Sequence, residues 1–287
     1  MPLRIADGRA RVVREIRAAA PLMSRLAVPP TSRGPWLTAA LNAQPARVRA
    51  RAVVVEPHLQ GRPDGLALLT LRRRGPATAV ALLGAGPGPL PEGRPQCRLH
   101  ARDPETAGRL ADGVLDLLAG LRGPWTLRLA GLPLGDPTLS SLAACLPDAA
   151  TGTTRSRRLV DELDSVGEVH RSTDPAALER VLPALLARVP ADQRSFVRAA
   201  ARLHAAIGWL EVAVVRRGDD VTAVLLTLLD RRPDGTDRWP WWGWSDGGGL
   251  RRELGSPWAS LTASAGLVSL TRRGVHRAGV SRGTAAG

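Results

Sequence analysis

The sequence lacks several residue types on which large classes of enzymes depend. Its 287 residues contain no lysine and no tyrosine, and phenylalanine occurs once. Without lysine there is no Schiff-base nucleophile, no P-loop lysine and no kinase-type strand lysine. Without tyrosine there is no phenolic general acid. The two cysteines, Cys97 and Cys145, form no Cys-x-x-Cys pair, which argues against a zinc knuckle or a disulfide framework and favours a reducing cytoplasm.

The chain also lacks a long apolar run. A membrane-spanning helix needs about 20 apolar residues, and no segment of this length is present; Val221–Leu229 is far shorter. The arginine-rich N-terminus has no apolar core of the kind found in signal peptides. A basic amphipathic segment at 9–27 is expected to pack on its own domain rather than lie on a membrane. The sequence therefore predicts a cytoplasmic protein without stable membrane insertion.

Charge of one sign is in excess. The 40 basic residues, all arginine, outnumber the 26 acidic ones, which gives a formal net charge of +14. Such an excess favours polyanionic partners. The arginines are nevertheless scattered, and the abundance of alanine, arginine, glycine and proline is typical of GC-rich coding. Nucleic acid, tRNA included, is therefore a less favoured partner than a small molecule. The five histidines show no ligand spacing, so no metal is predicted.

Hydrophobic periodicity predicts helices and strands in alternating groups. Helices are expected over 9–27, 36–41, 104–122, 137–146, 174–189, 192–207 and 256–273. Strands are expected over 51–56, 66–73, 77–83, 125–132, 209–217, 221–230 and 238–245. The segment 84–95 is rich in proline and glycine and is expected to be a loop.

An internal repeat suggests a duplication. The segments Gly65–Gly75 and Gly208–Gly218 both run from a glycine through an apolar strand to an Arg-Arg-Gly turn. A second apolar strand ending in Leu-Leu follows each of them. Two apolar hairpins can share such a layout by chance, but the similar order of elements around them favours a duplicated α/β unit. We therefore expect two halves, 1–150 and 151–287.

The order of helices, hairpin, further strand and helix resembles that of GNAT acetyltransferases. At the residue level the second half is similar to the cellulose-biosynthesis (CelD-like) GNAT family, whose members are tandem GNAT folds. The similar segments of the second half are Phe196–Leu210, Val212–Leu229, Trp244–Asp246 and Ser256–Trp258. Those of the first half are Pro35–Leu41 and Leu132–Leu134. The resemblance implies an α/β (α+β) fold of two GNAT-like units, each a mainly antiparallel sheet flanked by helices.

The chain departs from the family pattern in three places. Trp258 stands where relatives have the glycine of Ser-Pro-Gly. The His-x-x-Arg-Trp segment is missing from the shorter stretch Leu185–Asp192. The closing strands with Gly-x-x-x-Tyr-Lys are missing or reduced to Val275–Val280. These departures bear on catalysis more than on fold.

Ser256-Pro257 is the candidate cofactor site. A serine cap and a proline at the first helical position would leave the amides of Trp258 and Ala259 free to bind phosphate. Arg251 and Arg252 would add charge-assisted hydrogen bonds. The resemblance implies that the second half holds the pyrophosphate of acetyl-CoA, or of another acyl-CoA, at this helix. The alternative is an ordinary capped helix.

A run of tryptophans offers a candidate substrate site. On a strand, Trp239 and Trp241 face one way, whereas Trp242 and Trp244 face the other. One pair is expected to fill the core, and Trp242 and Trp244 are candidates for lining a cleft that holds an acyl chain or an acceptor. Base stacking in a nucleic-acid channel and packing in the core are the alternatives.

Three residues are candidate general bases for an amine acceptor. Glu211 lies in an otherwise apolar strand, where burial would favour its protonated form. His204 lies beside the apolar stripe of its helix, and Asp246 ends the tryptophan-rich strand. No motif distinguishes any of them, and a solvated or hydrogen-bonded structural role is the alternative for each.

These observations lead to one predicted function and two alternatives. The prediction is an acyl-CoA-dependent N-acyltransferase that acts on a small amine or an amino sugar. The first alternative keeps the fold and changes the donor to an aminoacyl-tRNA, as in Fem-like transferases. The second is a catalytically silent GNAT-like scaffold that binds a ligand or a partner.

Overall fold

The computed structural model describes residues 2–56, 62–85, 88–146, 148–232 and 234–266. The helices within these ranges are α1 (Arg9–Ala18), α2 (Ala20–Arg25), α3 (Gly34–Ala43), α4 (Pro104–Ala119), α5 (Pro137–Cys145), α6 (Pro175–Arg188) and α7 (Arg194–Ala206). The strands are β1 (Leu3–Asp7), β2 (Arg49–Val55), β3 (Gly65–Arg74), β4 (Ala77–Leu82), β5 (His100–Ala101), β6 (Trp125–Leu132), β7 (Ala150–Asp161), β8 (Val169–Ser172), β9 (Leu210–Arg217), β10 (Asp220–Arg232), β11 (Gly235–Ser245) and β12 (Leu250–Ala265). The segment Val275–Val280 lies outside the described residues.

Helix α4 shows how local sequence specifies these elements. Asp103 precedes the helix, and its carboxylate accepts a hydrogen bond of 2.8 Å from the amide of Thr106. This cap satisfies one of the free amides of the first turn. Leu110, Val114 and Leu117 follow at helical spacing and are buried. The helices predicted at 104–122, 137–146, 174–189 and 192–207 are likewise confirmed as α4 to α7.

A large sheet forms one layer of the molecule. Its strands run in the order β1-β2-β3-β4-β6-β12-β7, and β5 pairs with β3. Only β4 and β6, which α4 connects, are parallel among these pairs; the other pairs are antiparallel. Residues of α4 and α5 pack on one face of this sheet in a continuous apolar cluster.

A smaller sheet, in the order β11-β10-β9-β8, is antiparallel throughout. It shares its core with helices from both halves of the chain. Trp36 of α3 lies at the centre of that core, with its ring 5.1 Å from that of Phe196 in α7 and 5.2 Å from that of Trp241 in β11. The predicted α/β (α+β) class is confirmed, because both sheets of this chain are mainly antiparallel and are flanked by helices.

Both repeated segments form antiparallel hairpins. The turn glycines Gly75 and Gly218 have φ angles of 59° and 62°, a left-handed conformation that favours glycine. The division at 150/151 stays a prediction. Strand β7, which begins at this boundary, and strand β12 both belong to the large sheet, so two halves divided here share a sheet as well as a core.

The prediction of a helix that begins at Ser256 is wrong for the described part of this segment, which forms strand β12. The strand pairs with β6 on one side and with β7 on the other. Buried Ala259, Leu261 and Ala263 alternate with more exposed residues, which is the period of a strand. Pro257 lies where the pairing with β7 shifts register, a position at which a strand tolerates proline. Strands β1, β5, β7 and β8 are likewise not predicted from the sequence.

Candidate functional site

A groove of about 660 Å³ lies where β7, β11 and β12 meet the loop at 88–95. Four arginines line it, together with two aspartates, a tryptophan and a serine. They are Arg94, Arg155, Arg158, Arg238, Asp161, Asp237, Trp239 and Ser256. Guanidinium groups therefore outnumber carboxylates among the lining residues, which gives the groove a positive potential.

Arg94 lines the groove with one guanidinium nitrogen paired and two without a hydrogen-bond partner among the described residues. Its guanidinium lies over the ring of Trp239, 4.1 Å from the ring centroid, and pairs with Asp237 through Nη1. Its Nε and Nη2 atoms are buried and have no hydrogen-bond partner among the described residues. Buried donors without partners are costly. The stacking on Trp239 and the pairing with Asp237 hold Arg94 as a fixed positive charge at the wall of the groove.

The other three arginines differ in how far they are neutralised. Arg238 pairs with Glu211 at 2.5 Å and with Asp161 at 3.4 Å. Arg158 pairs with Glu253 at 3.1 Å across the β7–β12 ladder. Arg155 has no carboxylate partner within the described ranges. Arg155, which is exposed, is thus the arginine most available to an anion.

Hydrogen bonds hold the loop at 88–95 against the strands. The amide of Ser256 donates to the carbonyl of Gly93 at 2.7 Å, and the amide of Gly93 donates to Oγ of Ser156 at 2.8 Å. The indole nitrogens of Trp239 and Trp241 each donate at 2.8 Å to loop carbonyls. The wall of the groove is therefore fixed by both sheets, which favours a preformed site.

The predicted phosphate site at a helix N-terminus does not exist, because its residues lie in β12. The amide of Ser256 is already used by Gly93. Arg251 pairs with Glu162 at 2.7 Å, and Arg252 pairs with Glu92 at 2.6 Å. Ala259 is buried in the apolar cluster of the large sheet, and Trp258 pairs with Thr154 in the β7–β12 ladder. Of the five predicted residues only Ser256 lines the groove.

The structure does not bring the three candidate bases together. His204 is fully buried, its Nδ1 lies 2.7 Å from the carbonyl oxygen of Ala200, and burial lowers its pKa to about 4. Its surroundings are those of a neutral core histidine, out of reach of an acceptor. Glu211 is not in apolar surroundings, because Arg238 and Arg171 both pair with it. Asp246 is exposed and pairs with Arg188 at 3.5 Å.

The tryptophan strand has the predicted alternation. Trp239 and Trp241 are each 3% exposed, whereas Trp242 and Trp244 are partly exposed and pack on the edge of the same core. The guanidinium of Arg188 covers the ring of Trp244 at 4.3 Å. Neither Trp242 nor Trp244 lines the groove, so their predicted role in holding a substrate stays a prediction. Sequence analysis missed Trp239 as the groove residue, since its partner Arg94 is remote in sequence.

The carboxyl ends of the parallel strands β4 and β6 form a second place where α/β folds bind ligands. The pairing of these strands ends at Ala81 and Arg128. Beyond that point, the amides of Gln96 and Cys97 donate to the carbonyl of Gly131 at 2.9 and 2.8 Å. The chain's own loop thus occupies the opening. Among the two places, the arginine groove is the one whose side chains fit a phosphate-bearing ligand.

In the described ranges, no cluster of three or more histidine, cysteine, aspartate or glutamate side chains is arranged to hold a metal ion. Among the described helices, none combines the length and the apolar composition that crossing a membrane requires.

Comparison with known proteins gives only distant similarities. No family model and no curated protein matches the chain. A tandem GNAT protein from the clavulanic acid biosynthesis pathway is 14% identical over 92% of this chain and 99% of its own, with a TM-score of 0.38. FemX is 12% identical over 80% of this chain and 58% of its own, with a TM-score of 0.43. A probable N-acyltransferase of Enterococcus faecalis V583 is 8% identical over 90% and 72% of the two chains, with a TM-score of 0.32. Similarities at this level do not assign the chain to a family.

Proposed function

We propose that the arginine groove binds a phosphate-bearing acyl donor, and that the protein is an acyl-CoA-dependent N-acyltransferase for a small amine or amino sugar. One observation carries the proposal. Four guanidinium groups line the groove against two carboxylates, and Arg155 is exposed with no carboxylate partner among the described residues. The donor class comes from the GNAT resemblance of the sequence, and the groove replaces the helix end as its place of binding.

The residues that would hold the donor are arginines from three parts of the chain. Arg155 and Arg158 of β7 would bind phosphate oxygens through charge-assisted hydrogen bonds. Arg94 of the loop is paired with Asp237 and would act through its charge. Arg238 of β11 is tied to Glu211 and would act chiefly through its charge. Acyl-CoA would supply a thioester that an amine can attack. The volume of about 660 Å³ lies within the range of small-molecule sites.

A catalytically silent GNAT-like scaffold is the second candidate, and a specific observation favours it. A base for an amine acceptor must be free and within reach of the acceptor. His204 is buried in the core, whereas Asp161 and Asp237, the carboxylates of the groove, are each ion-paired with arginine. Such a scaffold would bind the same class of anion without transferring an acyl group.

Binding and turnover measured on the same variants test both candidates. Calorimetric titration with CoA and acetyl-CoA is expected to show binding that survives 0.3 M salt. Arg155→Gln should weaken it by about tenfold or more, because a hydrogen bond to a charged group contributes roughly 1.5–3 kcal/mol. Arg217→Gln, an exposed arginine at the end of β9, is the matched control and should leave binding unchanged.

The outcomes separate the candidates. Binding with release of free CoA thiol in the presence of an amine panel supports the transferase. Binding without release supports the scaffold. Steeply salt-dependent binding of tRNA, with none of CoA, supports the aminoacyl-tRNA alternative. Absence of all binding, or CoA binding unaffected by Arg155→Gln, overturns the proposed groove.

A further inference from the structure

A second cavity, of about 370 Å³, lies where α2 and the start of α3 meet the ends of the second hairpin. It shares no lining residue with the arginine groove. Its volume lies at the lower end of the roughly 300–1,000 Å³ typical of small-molecule sites. The cavity therefore suits a ligand smaller than a nucleotide.

One wall of the cavity is apolar. Ala20, Met23 and Ala27 come from the α2 region, Pro35 from the first turn of α3, and Trp209 from the residue before β9. Met23 is 2% exposed, so its thioether is anchored in the core beneath the cavity. A thioether and an indole face provide an adaptable surface for an aliphatic or aromatic group.

The charged part of the lining is basic. Arg33, Arg231 and Arg232 form it. Asp230, whose side chain is 1% exposed, pairs with Arg33 at 2.5 Å and with Arg232 at 2.8 Å. Arg231 has no carboxylate partner within the described ranges. Asp230 forms ion pairs with two of the three arginines, and Asp234 and Asp237 lie near enough to raise the pKa of Arg232 as well. The uncompensated positive charge at the cavity is therefore that of Arg231.

Arg33 is held in place before any ligand arrives. Its Nε donates to the carbonyl of Val28 at 2.8 Å, and its Nη2 donates to Asp230. Its guanidinium also lies 5.3 Å from the ring centroid of Trp209. A fixed cation beside an apolar wall loses little side-chain entropy on binding an anion.

We propose that this cavity binds a small amphipathic monoanion, namely a carboxylate carried on a short aliphatic or aromatic body. Arg231 and Arg33 face the carboxylate, and Met23 and Trp209 contact the body. The anion offsets the excess of positive charge, while the apolar wall is removed from water. A neutral analogue lacks the charge that offsets the arginines. Acetate carries the charge but is too short to cover most of the apolar wall.

Titration calorimetry with hexanoate, 1-hexanol and acetate tests the proposal on the full chain. Hexanoate is expected to bind, and both analogues to bind at least about tenfold more weakly. Arg231→Gln should weaken hexanoate binding by about tenfold or more, since a charge-assisted hydrogen bond is lost. Ser24→Trp, at an exposed position of α2 that lines the cavity, should abolish binding by filling the space. Arg217→Gln is the matched control and should bind hexanoate normally.

Three results overturn the proposal: no hexanoate binding at 10 mM, equal binding of hexanoate and 1-hexanol, or hexanoate binding unaffected by Arg231→Gln and Ser24→Trp. A melting temperature near that of the parent chain shows that Ser24→Trp folds; otherwise Arg231→Gln decides. Because the two sites share no residue, loss of hexanoate binding with CoA binding intact contradicts only this inference.

Discussion

Asp230 joins the two parts of the chain through an ion pair that is almost completely buried. Its side chain is 1% exposed, and Arg33, which pairs with it at 2.5 Å, is 13% exposed. Asp230→Ala leaves that guanidinium buried without its counter-charge, whereas Arg232, at 42% exposed, can turn to water. Breaking a buried pair by removing one partner costs about 3–5 kcal/mol. For a chain of this size that corresponds to a fall in Tm of roughly 5–8 °C.

Urea unfolding followed by circular dichroism measures this loss directly. Asp246→Ala is the matched control, because Asp246 is 56% exposed and lies 3.5 Å from its partner Arg188; it should cost less than about 1 kcal/mol. The double variant Asp230→Leu with Arg33→Met should lose less stability than Asp230→Ala, since no charge is then left buried. A loss below 1 kcal/mol for Asp230→Ala, or a double variant no more stable than the single one, refutes the argument.

Three further predictions concern other parts of the fold. Burial lowers the pKa of His100 and His204 to about 4, so between pH 6.5 and 4 the unfolded chain binds protons that the folded chain excludes. Stability in urea should therefore fall from pH 7.5 to 5 by roughly 2 kcal/mol per histidine, and equal stability at both pH values would contradict this. Ser256→Ala should change stability by no more than about 0.5 kcal/mol, because the side chain is exposed and caps no helix; a loss near 2 kcal/mol in the same assay would point back to a cap. Trp241→Ala should cost about 3–5 kcal/mol as a core truncation, and Trp242→Ala distinctly less, because Trp242 is only partly buried; equal losses would count against this difference.

The local elements were predictable because their signals lie within a few residues of one another. Asp103 and Asp174 cap α4 and α6, as proline-preceding aspartates at these positions predict. The alternation in β11 separated the buried Trp241 from the partly exposed Trp242. The groove was not predictable, because Arg94 and Arg155 are far apart in sequence and many other arginines have the same local surroundings.

Strand β12 is the element whose conformation the local sequence does not specify. The dipeptide Ser256-Pro257 is typical of a helix start, whereas the alternation through Ala259, Leu261 and Ala263 is typical of a strand. The capped helices, the two hairpins and the two sides of the tryptophan strand follow from local sequence, because each depends on short-range hydrogen bonds or on periodicity. The conformation of β12 and the position of both cavities depend instead on contacts between segments that are distant in sequence. A strand is stabilised by partners that the chain supplies from elsewhere, here β6 and β7, and the burial gained between them outweighs a local preference of about 1 kcal/mol per residue or less.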